Sequence, residues 1–168
     1  MFSFFRFACA LALALFLTSC AEQQPQRLIQ SAGVHRLRNV RTTAYARGDG
    51  GGRKNAVGEY LSGRRVISAA SDWSRYPLGT RFKIVGTNDE YIIDDYGTAL
   101  VGTNTIDLYK PSRLEMRRWG VRRVDIDVLQ WGSRDQSLKV LGPRKKHGIV
   151  RRMIAALEKK TNSWPAVD

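Results

Sequence analysis

Between Val40 and Leu129 the sequence breaks into six short runs of β character, each bounded by turn residues. The runs are Val40–Ala46, Arg64–Ala69, Arg81–Val85, Tyr91–Asp95, Thr105–Tyr109 and Arg122–Leu129. In the last, Val124, Ile126 and Val128 share one face, while Asp125 and Asp127 share the other. A period of two is the mark of a half-buried strand. One helix interrupts the series. Ser112 and Glu115 have the spacing of a capping box, and Gly120 can close the helix that follows. Many short strands with a single short helix predict a mainly β domain, a small closed barrel over residues 37–133.

The flanks are different in kind. Arg6 precedes an apolar run from Phe7 to Leu17. That run is shorter than the roughly 20 residues a spanning helix needs. It fits the core of a secretory signal over residues 1–19. Leu17-Thr18-Ser19-Cys20 resembles a bacterial lipobox, so Cys20 is the expected lipidation site. Cys9 lies in the segment to be removed, which leaves the mature chain without a free thiol. Ala21 follows the cysteine instead of an aspartate, which by resemblance to diderm sorting rules points to the outer membrane more than the inner. Residues 20–36 read as a polar tether.

The chain carries a formal net charge of +13, which favours anionic partners. A secreted location disfavours nucleic acid among them and leaves an anionic membrane or an acidic polymer. The basic tail, residues 134–168, contains Ile149, Val150, Met153, Ile154 and Leu157 on one helical face. Such an amphipathic helix either docks on the barrel or lies on a membrane surface.

Histidine occurs only at His35 and His147, so neither a metal site nor a serine triad is expected in the barrel, and no cofactor. Gly48-Asp49-Gly50-Gly51-Gly52 lacks a phosphate-loop pattern and reads as a flexible loop or a lip over a cleft. The carboxylates remain. Asp and Glu number 15 against 28 Lys and Arg, so acids gathered in a basic domain are informative. Glu59, Asp72, Asp94, Asp95 and Asp107 stand out. Asp94 and Asp95 are adjacent at a strand end, and alternation sends them to opposite faces, with Asp95 toward the site.

These segments resemble the three-aspartate (3D) domain, which is related to the catalytic part of membrane-bound lytic transglycosylase A. Thr43-Ala44-Tyr45 is similar to the family's opening strand. Ser68-Ala69-Ala70-Ser71-Asp72, then Tyr76-Pro77-Leu78-Gly79-Thr80, is similar to its first aspartate and the turn after it. Asp95-Tyr96-Gly97 through Gly102, and Thr105-Ile106-Asp107-Leu108-Tyr109, are similar to the second and third. Thr98 and Val101 stand where the family often has glycine and lysine. A weaker resemblance to rare lipoprotein A adds Glu59.

The resemblance implies a six-stranded double-psi β-barrel. It implies non-hydrolytic cleavage of peptidoglycan glycan strands between N-acetylmuramic acid and N-acetylglucosamine. It also implies Asp107 as the acid/base group, Asp95 as the next choice and Asp72 in support, with substrate binding by Glu59, Gly97 and Gly102. A wall-binding lipoprotein without turnover and a true glycoside hydrolase are the competing readings.

Overall fold

The computed structural model describes residues 34–48 and 52–159. The signal segment, Cys20, most of the tether, the loop at 49–51 and the tail from residue 160 lie outside the described residues.

Six strands form: β1 (His35–Ala46), β2 (Val66–Ala70), β3 (Arg81–Ile84), β4 (Glu90–Asp95), β5 (Thr105–Lys110) and β6 (Arg122–Gln130). They close into a barrel in the order β1-β5-β2-β4-β3-β6. The pairs β1–β5 and β2–β4 are parallel, and the other pairings are antiparallel. Closure leaves no strand edge unpaired, which suits a small β domain. The expected closed, mainly β barrel of six strands is therefore present.

The inward residues make one core. Phe82 and Tyr91, both fully buried, stack at 5.3 Å between ring centroids. Ala69, Ile93, Ile106, Leu108, Ile126 and Val128 complete the wall around them.

β1 begins at His35, inside the stretch that composition reads as tether. Its first residues hold by polar contacts, so no apolar pattern announces them. Arg36 donates to both carboxylate oxygens of Asp127 on β6, at 2.7 and 2.9 Å. Asn39, at φ 58°, then shifts the register and lets the strand bend around the barrel.

Helix α1 (Arg113–Trp119) has the expected capping box. Ser112 Oγ accepts from the Glu115 amide, and the Glu115 carboxylate accepts from the Ser112 amide. Helix α2 (Arg134–Leu141) was not legible in the sequence, because it buries only Ser137 and Leu141. It is fixed by polar contacts: the Leu78 amide donates to Ser137 Oγ at 2.9 Å, and the Ser133 amide donates to the Leu78 carbonyl.

Helix α3 (Gly148–Lys159) carries the amphipathic tail pattern. Val150, Met153 and Leu157 are at most 1 % exposed and join the same core as Trp73 and Leu78. Of the two readings of this helix, docking on the barrel is the one the structure adopts.

Candidate functional site: an outward row of carboxylates

A row of residues in register crosses four neighbouring strands: Thr43 on β1, Asp107 on β5, Ala70 on β2 and Asp95 on β4. Ala70 pairs with Asp107 on one side and with Asp95 on the other. Ile106 and Leu108 are fully buried, so alternation turns Asp107 to the outer face. Thr43 Oγ donates to Asp107 Oδ1 at 2.6 Å, which fixes one carboxylate oxygen.

β4 bears a bulge at this level. Ala69 pairs with Ile93, but Ala70 pairs with Asp95, so Asp94 is the extra residue. The bulge breaks alternation. Asp94 therefore does not face away from Asp95, as alternation had predicted. It lies on the outer face beside Ser68, whose hydroxyl donates to Asp94 Oδ2 at 2.6 Å. Asn55 Nδ2 donates to the same oxygen at 2.9 Å.

Burial pushes Asp95 up to about 6, the negative charge of Asp94 adds to the effect, and the Tyr96 amide opposes it. Burial also raises Asp107, against the Thr43 hydrogen bond and the positive charge of Arg41. Asp94 is raised by burial, against its bonds from Ser68 and Asn55. Tyr45 stands one outward position beyond Thr43. Burial, then the charges of Asp95, Asp94 and Asp107, drive its phenol pKa far up, so it stays a neutral O–H donor. Its hydroxyl and Asp94 Oδ1 are buried without a hydrogen-bond partner. Orphaned buried polar atoms call for an explanation, and these two lie within the cluster of raised acids.

The β1–β5 seam opens at both ends. Outward pairs along it are Arg41 with Thr105, Thr43 with Asp107, and Tyr45 with Tyr109. Beyond Arg41 is a pocket of about 500 Å³. Beyond Tyr109 is one of about 310 Å³ lined by Arg47, Gly63 and Arg64. Asp107 lies between the two, a layout suited to an extended ligand.

Asp72 is placed differently from the other acids. It is 2 % exposed, and its two oxygens accept from the amides of Ser74 and Gly102, at 2.9 and 2.7 Å. Its role is to tie the turn after β2 to the loop before β5. Gly102, at φ +86°, turns its amide toward that carboxylate. Gly97 packs against Leu100, which a Cβ would meet at 3.2 Å. Glu59 is exposed, on a loop whose backbone wraps Asn55, the residue that donates to Asp94.

Sequence reasoning missed Tyr45, Asn55, Ser68 and Arg144 as neighbours of the acids. Tyr45 was within reach, since it shares an outward face with Thr43. Arg144 was not. It follows α2, donates to the Ala56 carbonyl at 2.7 Å, and its charge acts on Asp95.

The molecule is thus a closed β-barrel with an outward carboxylate row on four adjacent strands. Residues 67–130 match the family model of the 3D domain, from Ile67 in β2 to the last residue of β6. The match contains Asp72, Asp94, Asp95 and Asp107 and leaves out β1 with Thr43 and Tyr45. It is consistent with a peptidoglycan-related function, and the 3D family is associated with glycan-cleaving enzymes. No curated protein matches the chain.

Proposed function

We propose that this protein is a peptidoglycan lytic transglycosylase, held to the envelope by lipid on Cys20 and facing the periplasm from the outer membrane. The observation that carries the reading is Asp95, a carboxyl raised to about 6 in the same outward row as Asp107. An acid of that strength is half protonated near pH 6 and keeps a minor protonated fraction at neutral pH, so it can both give and take a proton.

In the proposed reaction a protonated carboxyl of this row donates to the glycosidic oxygen. The bond from C1 of N-acetylmuramic acid to that oxygen breaks, and N-acetylglucosamine leaves with the proton as its hydroxyl. The same carboxylate then takes the proton of the muramic 6-hydroxyl as that oxygen bonds to C1, closing a 1,6-anhydro ring. No water is consumed, and the enzyme ends protonated as it began. The raised pKa favours Asp95 as the proton carrier. In this reading Asp107, hydrogen-bonded by Thr43, stabilises the positive charge that develops at C1. The Tyr45 hydroxyl is buried and unpartnered beside this row, and in this reading it donates to a sugar oxygen or acetamide once the glycan displaces its surroundings.

Digestion of purified sacculi with product analysis by mass tests this. Anhydro-muropeptides are the expected product. Reducing-end products, or binding without release, would replace this reading with hydrolysis or with a wall-binding role.

A further inference from the structure

The pocket at the Arg41 end of the seam has no role in the reaction above. Its volume is about 500 Å³. Arg38, Arg41 and Arg123 line it, together with Asn39, Asn104 and Thr103. Elsewhere on the barrel arginines meet acids, as Arg36 does Asp127 and Arg81 does Glu90. Among the described residues no carboxylate lies within ion-pair distance of Arg38, Arg41 or Arg123, and the pocket lining contains no acid.

Two of the cations are held in place. Arg41 donates to Thr105 Oγ at 3.0 Å, and Arg123 donates to the Asn39 carbonyl at 3.3 Å. Asn104 is oriented by Arg75 at 2.9 Å. The left-handed turn at Asn39 is fixed by its amide on Asp125, at 2.9 Å. Three guanidinium groups around one pocket match planar oxyanions, which they bind through paired hydrogen bonds. The space far exceeds a single small ion and falls in the range of organic ligand sites. Asparagine and threonine groups beside the cations suit amides.

Position adds the last constraint. Arg41 precedes Thr43, the partner of Asp107, by two residues on the same face, about 7 Å along the strand. A ligand at Asp107 therefore has its neighbouring substituent at the arginines.

We propose that this pocket binds the carboxylates of the peptide stem borne by the glycan, so that the protein selects peptide-substituted strands. The inference rests on the peptidoglycan reading of the acid row. It does not require turnover.

Calorimetric titration of the purified protein with defined probes tests it. The probes are a muramyl disaccharide carrying its acidic peptide, the same disaccharide without peptide, and inorganic phosphate. The disaccharide-peptide is expected to bind at least tenfold tighter than the bare disaccharide. Arg38→Gln with Arg123→Gln is expected to erase that advantage. Lys139→Gln with Arg152→Gln, which removes the same charge from exposed helix positions, is expected to keep it. Arg38→Gln alone serves if the double variant is unstable, with a threefold or greater loss expected. The inference is overturned if peptide adds nothing, if the arginine variants keep the advantage, or if phosphate binds as tightly as the disaccharide-peptide. Anhydro product from sacculi with peptide-independent binding overturns this inference alone. Peptide-dependent binding with no anhydro product overturns only the catalytic reading.

Discussion

Asp95 and Asp107 lie level on either side of Ala70, each its register partner on a different flanking strand. Two strand spacings separate their backbones by about 9–10 Å. Two carboxyls on one outward face can thus address opposite sides of one ligand, while a small residue between them leaves room for it. Asp95→Asn is expected to reduce anhydro-muropeptide release by about 10²–10⁴-fold, the usual worth of general acid–base catalysis. Asp107→Asn is expected to lower it strongly as well. The rate of soluble product release, with circular dichroism confirming the fold, checks both.

The raised pKa of Asp95 gives a pH prediction with a definite sign. Its folded pKa, about 6, lies above the ordinary value of 3.8. The folded protein then holds a proton that the unfolded chain releases. This contribution to stability is full below the ordinary value and is lost as pH rises through about 6. Asp95→Asn keeps a neutral group at all pH values. Its Tm is expected to exceed that of the unaltered protein at neutral pH, with the difference shrinking as pH falls from about 6 to the ordinary value of 3.8 and absent below it. Activity of the unaltered protein is expected to decline above pH about 6 as the acid form is lost.

Asp72 predicts a loss of stability. Replacing it by alanine strands the buried Ser74 amide and releases the Gly102 amide of the exposed loop before β5. Hydrogen bonds to a charged acceptor contribute about 1.5–3 kcal/mol each. A destabilisation of about 3 kcal/mol or more is expected in urea unfolding. An unchanged midpoint would show that the two loops are held by other contacts.

Gly132 tests the junction between barrel and tail. A side chain there would collide with the carbonyl oxygens of Pro77 and Leu78 and come within 2.5 Å of the Thr80 amide nitrogen. All are backbone atoms of a turn that cannot swing aside. Gly132→Ala is expected to cost about 2–3 kcal/mol by overpacking, read as a lowered unfolding midpoint.

The tail helix tests its own placement. Leu157 is fully buried in the core shared with the barrel. Leu157→Ala is expected to cost about 2–5 kcal/mol by leaving a cavity. Were α3 instead used on membranes, the same change would weaken sedimentation with anionic vesicles and spare stability.

Much of this was legible because strands and caps are local. Alternation in Arg122–Leu129 and the Ser112–Glu115 spacing depend on neighbours in sequence, and both elements form as expected. Where an element rests on distant polar partners, the local pattern is silent. The start of β1 depends on Asp127, and α2 depends on Leu78, so neither announced itself. At Asp94 and Asp95 the local rule misleads, since a single extra residue in β4 brings both to one face.

The sequence by itself determined the strand content, the cap of α1, the apolar face of α3 and the acids worth considering. The fold decided which acids meet. The motifs give Asp72 a supporting place beside Asp107 and Asp95, and in the fold it is buried and accepts from two backbone amides. Bulge and register bring Asp94, Asp95 and Asp107 to one face under the hydroxyl of Tyr45. The physical reason is that a pairing register couples residues far apart in the chain, and acidity depends on burial and neighbouring charge, which only closure of the barrel creates.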